Sequence, residues 1–324
     1  MAEVLNRFEW NVQVATAQKP EAVVTSSEPA PQKRMVLCGA GGFVALKHLE
    51  AMKVTHCQLL GAYDPHDGNM QRLDQFFPGA LYFSDKKLFL NWVREQNALE
   101  PIDYLVVTAP DHAHMEWIKT AQELRIPVLC EKPLVMNRAE LDEVTSFSGS
   151  PIYSVFQARF LPEIQKMKLW VDHEPTQRRN VSIEYITSRG PWYWSSWRGD
   201  QARAAGAFAD LAIHFVDVLT YLFGSSKSFK LDEASRFACR GKAELERADI
   251  EWEFSSKPVV RPGEKNPIYS RRLFKIDGND FDFTRSFEQG HIILYQHLLR
   301  GEGIPVQDVR ATLDLVFGVQ GGMD

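Results

Sequence analysis

Two stretches of this chain carry residues whose types and spacing could do chemistry on a nucleotide. In VLCGAGGFVALKH, Gly39, Gly41 and Gly42 stand between an apolar run and a helix-like stretch. A strand-to-helix turn of that kind aims backbone N–H groups and a helix N-terminus at a pyrophosphate, and only glycine permits the tight turn and the close approach. Val44 stands where the strict GxGxxG pattern needs Gly or Ala, so the turn alone also fits a glycine-rich loop with no ligand. Asp64 ends the next apolar run, 25 residues after Gly39. An acid near that spacing accepts a hydrogen bond from a ribose 2′-hydroxyl and repels a 2′-phosphate. No Arg or Lys follows it in YDPHDGN, so turn and acid together point to NAD rather than NADP.

A second set could act on a substrate. Pro110 in TAPDHAH and Lys132 in CEKP each follow a buried apolar run, where open α/β sheets bind ligands. Lys132 reads either as a desolvated proton donor or as a surface lysine whose stem packs on the sheet. His112 and His114 have no nearby cysteine or acid cluster, and no metal is expected. In FADLAIHFVDVL, Asp210 and His214 are four residues apart and share a helix face, as an acid–base pair or as a hydrogen-bonded core pair. The segment ITSRGPWYWSSWRGD sets Trp192, Tyr193, Trp194 and Trp197 between Arg189 and Arg198. Aromatic faces can stack on a ring and guanidinium forks can bind carboxylate or phosphate; a tightly packed loop is the other reading.

The elements that must position these groups follow from periodicity. Short apolar runs from Met35 to Phe160 alternate with helical stretches, which indicates βαβ units, a parallel sheet and a Rossmann dinucleotide-binding domain over 35–160. Asp85 and Asn137 are expected N-caps. Beyond 160 the rhythm changes. One helix precedes the alternating strand NVSIEYITSR, and the long apolar helix AGAFADLAIHFVDVLTYLFG ends at Gly224. Strand-like pieces KSFKLDEASRFACR, ADIEWEFSS and RRLFKIDGNDFDFTR follow, the last with the hairpin signal Asp277-Gly278. We expect a C-terminal α+β domain over 161–324 with an open, mostly antiparallel sheet for substrate binding and oligomerisation. Residues 1–34 read as a flexible Pro/Ser/Glu-rich tail, with FEWNVQV as a candidate edge strand.

Composition narrows the partners. The 324 residues carry a net charge of −5, which argues against a nucleic-acid footprint. No apolar run is long enough for a membrane helix. Cys38, Cys57, Cys130 and Cys239 form no CxxC pair and read as thiols in a reducing, cytoplasmic setting.

The glycine turn, the acid after the second strand, Pro110, EKP and the DxxxH spacing of Asp210 and His214, in that order, resemble the Gfo/Idh/MocA family of nicotinamide-dependent sugar oxidoreductases. GAGGFVALKH, AYDPHD, EKPLV, ITSRGPWYWSSWRGD and IHFVDVLTYLFG are more closely similar to the branch that oxidises UDP-N-acetylglucosaminuronate at its 3-hydroxyl in bacterial surface-polysaccharide pathways. The resemblance implies NAD against Gly39, Gly41, Gly42, Phe43, Val44, Asp64, Pro110, His114, Glu131 and Lys132. It implies that Lys132 and His214 flank the hydroxyl being oxidised, with Asp210 as the acid of the motif. Gln157, Arg159, Arg189, Trp197 and Arg198 would line the pocket for a nucleotide sugar, and the protein would be a dimer or tetramer. Other sugar or inositol dehydrogenases, and a non-catalytic NAD/sugar sensor on this fold, are the alternatives.

Overall fold

The computed structural model describes residues 32–68, 71–200, 206–235, 237–261, 263, 266–282 and 286–321. The expected edge strand FEWNVQV lies outside the described residues. The tail was expected to run to residue 34, but Arg34 opens the first strand, and its guanidinium is buried and donates to the Pro101 carbonyl at 3.2 Å.

The first half alternates β1 (Arg34–Cys38), α1 (Ala45–Val54), β2 (Gln58–Tyr63), α2 (Gln71–Phe76), β3 (Leu81–Phe83), α3 (Lys86–Leu99), β4 (Tyr104–Val107), α4 (His114–Leu124), β5 (Val128–Cys130), α5 (Arg138–Ser146) and β6 (Ile152–Ser154). All neighbours pair in parallel, in the order β3-β2-β1-β4-β5-β6. The order reverses at β1, so the carboxyl ends of β1 and β4 open the crevice where such sheets bind dinucleotides. Apolar residues on both faces of β1, β4 and β5 are buried, as expected when helices cover a sheet on both sides. Asp85 caps α3, accepting from the Lys87 and Leu88 amides at 2.7 and 3.0 Å. Asn137 caps α5, accepting from the Glu140 amide at 2.9 Å, and the Glu140 carboxylate accepts from the amide of Met136, just before the cap, at 2.9 Å. The run 151–160, read as one strand, gives only the short β6 and then a turn of 3₁₀ helix at Gln157–Phe160.

The second half contains α6 (Pro162–His173), β7 (Arg179–Thr187), α7 (Gly206–Phe223), β8 (Ser226–Ala234), β9 (Ala238–Leu245), β10 (Ala248–Ser255), β11 (Ser270–Ile276), β12 (Asn279–Asp280), α8 (Gly290–Leu299) and α9 (Val306–Gly321). Its sheet runs β12-β11-β7-β10-β9-β8. Every pair is antiparallel except β7 with β10. Residues 227–240, read as one piece, split into β8 and β9, because the polar turn at 235 folds the chain back on itself. Asp277 and Gly278 both adopt positive φ, +51° and +79°, which gives the hairpin turn the twist its strands need. Burial alternates residue by residue along β9 and β10, so one face of this sheet is packed and the other is open. The packed face lies under α7, whose apolar residues Ala209, Ala212, Ile213, Val216 and Leu219 are buried. Gly224 ends α7 at φ +87°.

Candidate active site

The glycine turn leaves β1 through Gly39, whose φ of +93° favours glycine; a Cβ there would meet the Ala109 backbone nitrogen at 2.4 Å. Thr108, which sequence reasoning passed over, ties the β4 end to this turn, its hydroxyl donating to the Gly39 carbonyl at 2.9 Å. A Cβ on Gly41 would come within 3.0 Å of the Asp64 carboxylate. Asp64 is buried at the end of β2 and accepts from the Gly41 amide at 2.8 Å and the His66 amide at 2.9 Å. Val44, at the cap position of α1, brings no side-chain cap, and no acid lies in the first turn. The first-turn amides are therefore free of competing side-chain anions, and Phe43 stands exposed at the mouth. A glycine cradle, an uncapped helix start and an acid at the next strand end fit a dinucleotide's pyrophosphate and ribose.

His114 lies beside Pro110, but its ring is buried between two carbonyl oxygens, Nδ1 at 2.8 Å from Pro133 and Nε2 at 2.9 Å from Ala109. It was expected against the cofactor. With a carbonyl oxygen beside each ring nitrogen, it links the loops after β4 and β5.

Lys132 follows β5 and reaches across to α7. Its Nζ lies 3.2 Å from both the backbone oxygen and Oδ1 of Asp210. Burial alone would lower the Lys132 pKa, but the carboxylates of Asp210, Glu131 and Asp111 outweigh it and raise it, so the ammonium is kept. Burial opposes ionisation of Asp210, yet the Lys132 ammonium and the Tyr193 hydroxyl together hold its pKa below the usual carboxylate range. Tyr193 donates to the other oxygen, Oδ2. This tyrosine was visible in the aromatic segment, but nothing in its spacing linked it to Asp210, 17 residues away.

His214 lies one turn further along α7, edge-on to Phe287 at 4.9 Å and Phe156 at 6.2 Å between ring centroids. Burial, helped by the Lys132 charge, pushes its pKa down to about 3, so the imidazole is neutral. Its Nδ1 and the Gln157 Oε1 are buried without hydrogen-bond partners among the described residues. Two unpaired buried acceptor-type atoms on α7 and the turn after β6 suit a ligand that brings hydroxyls or amides.

The arginines divide. Arg189 and Arg198 flank the Tyr193 ring at 5.6 and 5.9 Å, and Arg198 also lies 4.5 Å over Trp197. Arg159 was expected in the same pocket. Its Nη2 instead lies 2.7 Å from the buried Asp217 carboxylate and 2.9 Å from the Asp308 carbonyl, beneath α7. It anchors the helix that carries Asp210 and His214. Nothing short of the fold distinguished the three arginines.

The Glu131 carboxylate is buried, with Oε2 on the Lys132 amide at 3.1 Å and Oε1 turned toward two histidines. Its Oε1 accepts from His48 Nε2 at 2.9 Å and His291 Nε2 at 3.1 Å. These three ligand-type side chains lie within 4.8 Å of one another, but the carboxylate already accepts both N–H groups. Neither histidine was singled out from the sequence.

A parallel sheet with a glycine cradle at its switch point and a lysine after its fifth strand, with an acid and a neutral histidine on the helix that covers a second, open sheet, defines a two-domain dinucleotide-dependent oxidoreductase. The chain belongs to the Gfo/Idh/MocA oxidoreductase family. Residues 33–148 match its NAD-binding Rossmann fold and residues 179–265 its C-terminal alpha/beta domain. The WlbA (WbpB) dehydrogenase of Thermus thermophilus, solved with NAD and UDP-GlcNAcA, is 29% identical, covers 88% of this chain and 94% of its own, and superposes with a TM-score of 0.80. The same enzyme with NAD and alpha-ketoglutarate gives 28% identity, coverage of 89% and 95%, and a TM-score of 0.82. Among curated proteins, glucose-6-phosphate 3-dehydrogenase of Bacillus subtilis is 25% identical over 201 residues, which is 60% of this chain and about half, 54%, of that protein. No described helix is long and apolar enough to cross a membrane.

Proposed function

We propose that this protein oxidises the 3-hydroxyl of UDP-N-acetylglucosaminuronate to the 3-keto sugar, with NAD as cofactor, in cytoplasmic nucleotide-sugar synthesis for surface polysaccharide. The observation that carries this reading is the Lys132–Asp210 pair one helical turn from a neutral His214, in a chain 29% identical to a relative solved with NAD and UDP-GlcNAcA. NAD, when bound, accepts the hydride from the sugar carbon. His214 is in the form that accepts the hydroxyl proton, and the Lys132 ammonium donates a hydrogen bond to the oxygen as negative charge develops there. Asp210 and Tyr193 hold Lys132 in place. Arg189, Arg198 and Trp197 suit an anionic nucleotide sugar, with Gln157 offering an acceptor.

The open face of the second sheet supports a dimer or tetramer, which light scattering tests: a 37.0 kDa particle would refute it. Incubation with NAD and UDP-N-acetylglucosaminuronate is expected to yield NADH absorbance and a 3-keto product. Absence of turnover, with a keto acid present to reoxidise bound NADH, rejects the substrate. The second reading is a dehydrogenase of another sugar, favoured by the likeness to glucose-6-phosphate 3-dehydrogenase; a turnover panel of free, phosphorylated and nucleotide sugars separates the two. NAD binding without turnover on any of them would indicate a sensor.

A further inference from the structure

Glu131 is a buried carboxylate to which two separate helices send groups. From α1 comes His48, fully buried, with Nε2 on Glu131 Oε1 and Nδ1 at 2.9 Å from the Tyr295 hydroxyl. From α8 come His291, on the same oxygen, and Tyr295 one turn later. The third contact is local: Oε2 accepts the Lys132 amide at 3.1 Å. A carboxylate only accepts, so both histidines must present Nε2–H, and His48 Nδ1 must accept from Tyr295. The four side chains therefore have one consistent proton arrangement, donors running from Tyr295 through His48 to Glu131 and from His291 to Glu131.

We propose that His291 and His48 are positioning residues for the reaction: they hold Glu131 as an anion, and Glu131 in turn fixes the backbone and the charge of Lys132. Two facts make this more than core packing. Glu131 is the residue before Lys132 and bonds its amide, so a displaced Glu131 carboxylate displaces the lysine. The Glu131 charge also acts on the groups of the site: it helps raise the pKa of Lys132 and opposes part of the fall at His214 that burial and the Lys132 charge cause. The other titratable groups around Glu131 are Tyr295, Cys130 and Asp111, and none of them donates to it among the contacts described here. Burial opposes Glu131 ionisation, and the histidine N–H groups reverse that and hold its pKa well below the usual range. Removing one of them lets Glu131 take up a proton at a higher pH, and a neutral Glu131 no longer supports the Lys132 ammonium.

The inference rests on the proposed dehydrogenase reading for its kinetic arm and not for its spectroscopic arm. His291→Leu removes the donor; His291→Gln keeps an N–H₂ at nearly the same reach. In NAD-saturated turnover of UDP-N-acetylglucosaminuronate, His291→Leu is expected to lower kcat about tenfold, the scale of one lost charge-assisted hydrogen bond, with the KM for NAD little changed. It should also gain an acid limb in the kcat profile, where activity falls as Glu131 protonates. His291→Gln should restore both kcat and the flat profile. A uniform loss across pH in both variants, or no loss in either, overturns the proposal. Nitrogen-15 spectra of the wild-type imidazoles should show His48 and His291 as Nε2–H tautomers. An Nδ1–H tautomer at either residue overturns the proposal even if the wild type proves inactive on this sugar. Inactive wild type with the expected tautomers refutes the substrate and leaves the proton arrangement standing; the kinetic arm is then run on the sugar that the turnover panel identifies.

Discussion

The Tyr193 hydroxyl donates to Oδ2 of Asp210, the carboxylate that holds Lys132 through Oδ1. The aromatic loop is thereby joined to the base of the site: an aromatic residue from the segment expected to meet the substrate also sets the partner of the lysine. Tyr193→Phe keeps the ring between Arg189 and Arg198 and deletes only this bond. It should lower kcat by about tenfold while leaving NAD affinity unchanged, because a hydrogen bond to a charged group contributes roughly 1.5–3 kcal/mol. Steady-state kinetics with calorimetric NAD titration check this; equal losses in both would place Tyr193 elsewhere.

Lys132→Met and His214→Asn should each reduce turnover by at least about a hundredfold, the low end for a positioned acid–base group, with NAD binding kept. Wild-type rates in either variant would reject the site.

His214 also predicts a pH effect on stability. Its folded pKa of about 3 lies below the ordinary value of 6.5, so below about 6.5 the unfolded chain binds a proton that the folded chain refuses. Stability should therefore fall as pH drops from about 6.5 toward 3, and His214 should have no effect above that window. Urea unfolding of wild type and His214→Asn at about pH 7.5 and about pH 5 tests the sign: the variant should lose less stability on acidification. A larger loss in the variant would contradict it.

Arg159 and Asp217 form a buried pair, and Thr312 adds a hydrogen bond to Asp217 at 2.9 Å. Arg159→Leu leaves Asp217 buried and unpaired, which should destabilise the fold by about 3–5 kcal/mol. If thermal unfolding shows no loss and only the sugar KM rises, Arg159 belongs to the substrate pocket after all.

Asp64 accepts from the Gly41 and His66 amides, so it shapes the turn besides the ribose contact proposed for it. Asp64→Ala should weaken NAD binding about tenfold or more and lower the melting temperature together, since a charge-assisted bond to the turn is lost with the ribose contact. Weaker NAD binding at an unchanged melting temperature would limit Asp64 to the ribose.

The two sheets were legible because each has its own local signature. Apolar runs with intervening helices can bury both faces of a strand only in a parallel layer, and Asp277-Gly278 fits few turns other than a tight hairpin. The glycine turn and the Asp210–His214 spacing were legible within one turn and on one helix face, and Asp64 and Lys132 stood out as charged residues just after apolar runs; only the fold closes the 78 residues between Lys132 and Asp210. The roles of Arg159, His114, Tyr193, His48 and His291 were not legible. Each depends on partners that no motif or helix face joins to it, as His48 depends on Glu131, 83 residues away, and on Tyr295, 247 residues away. Residue type and local spacing singled out the glycine turn, the acid after it, Lys132 and the Asp210–His214 pair as candidates. Only the tertiary structure decided which arginine is buried beneath the site helix, which histidine braces the loops, and which side chains hold Glu131, because burial and hydrogen-bond partners arise from packing between elements that the order of residues does not reveal.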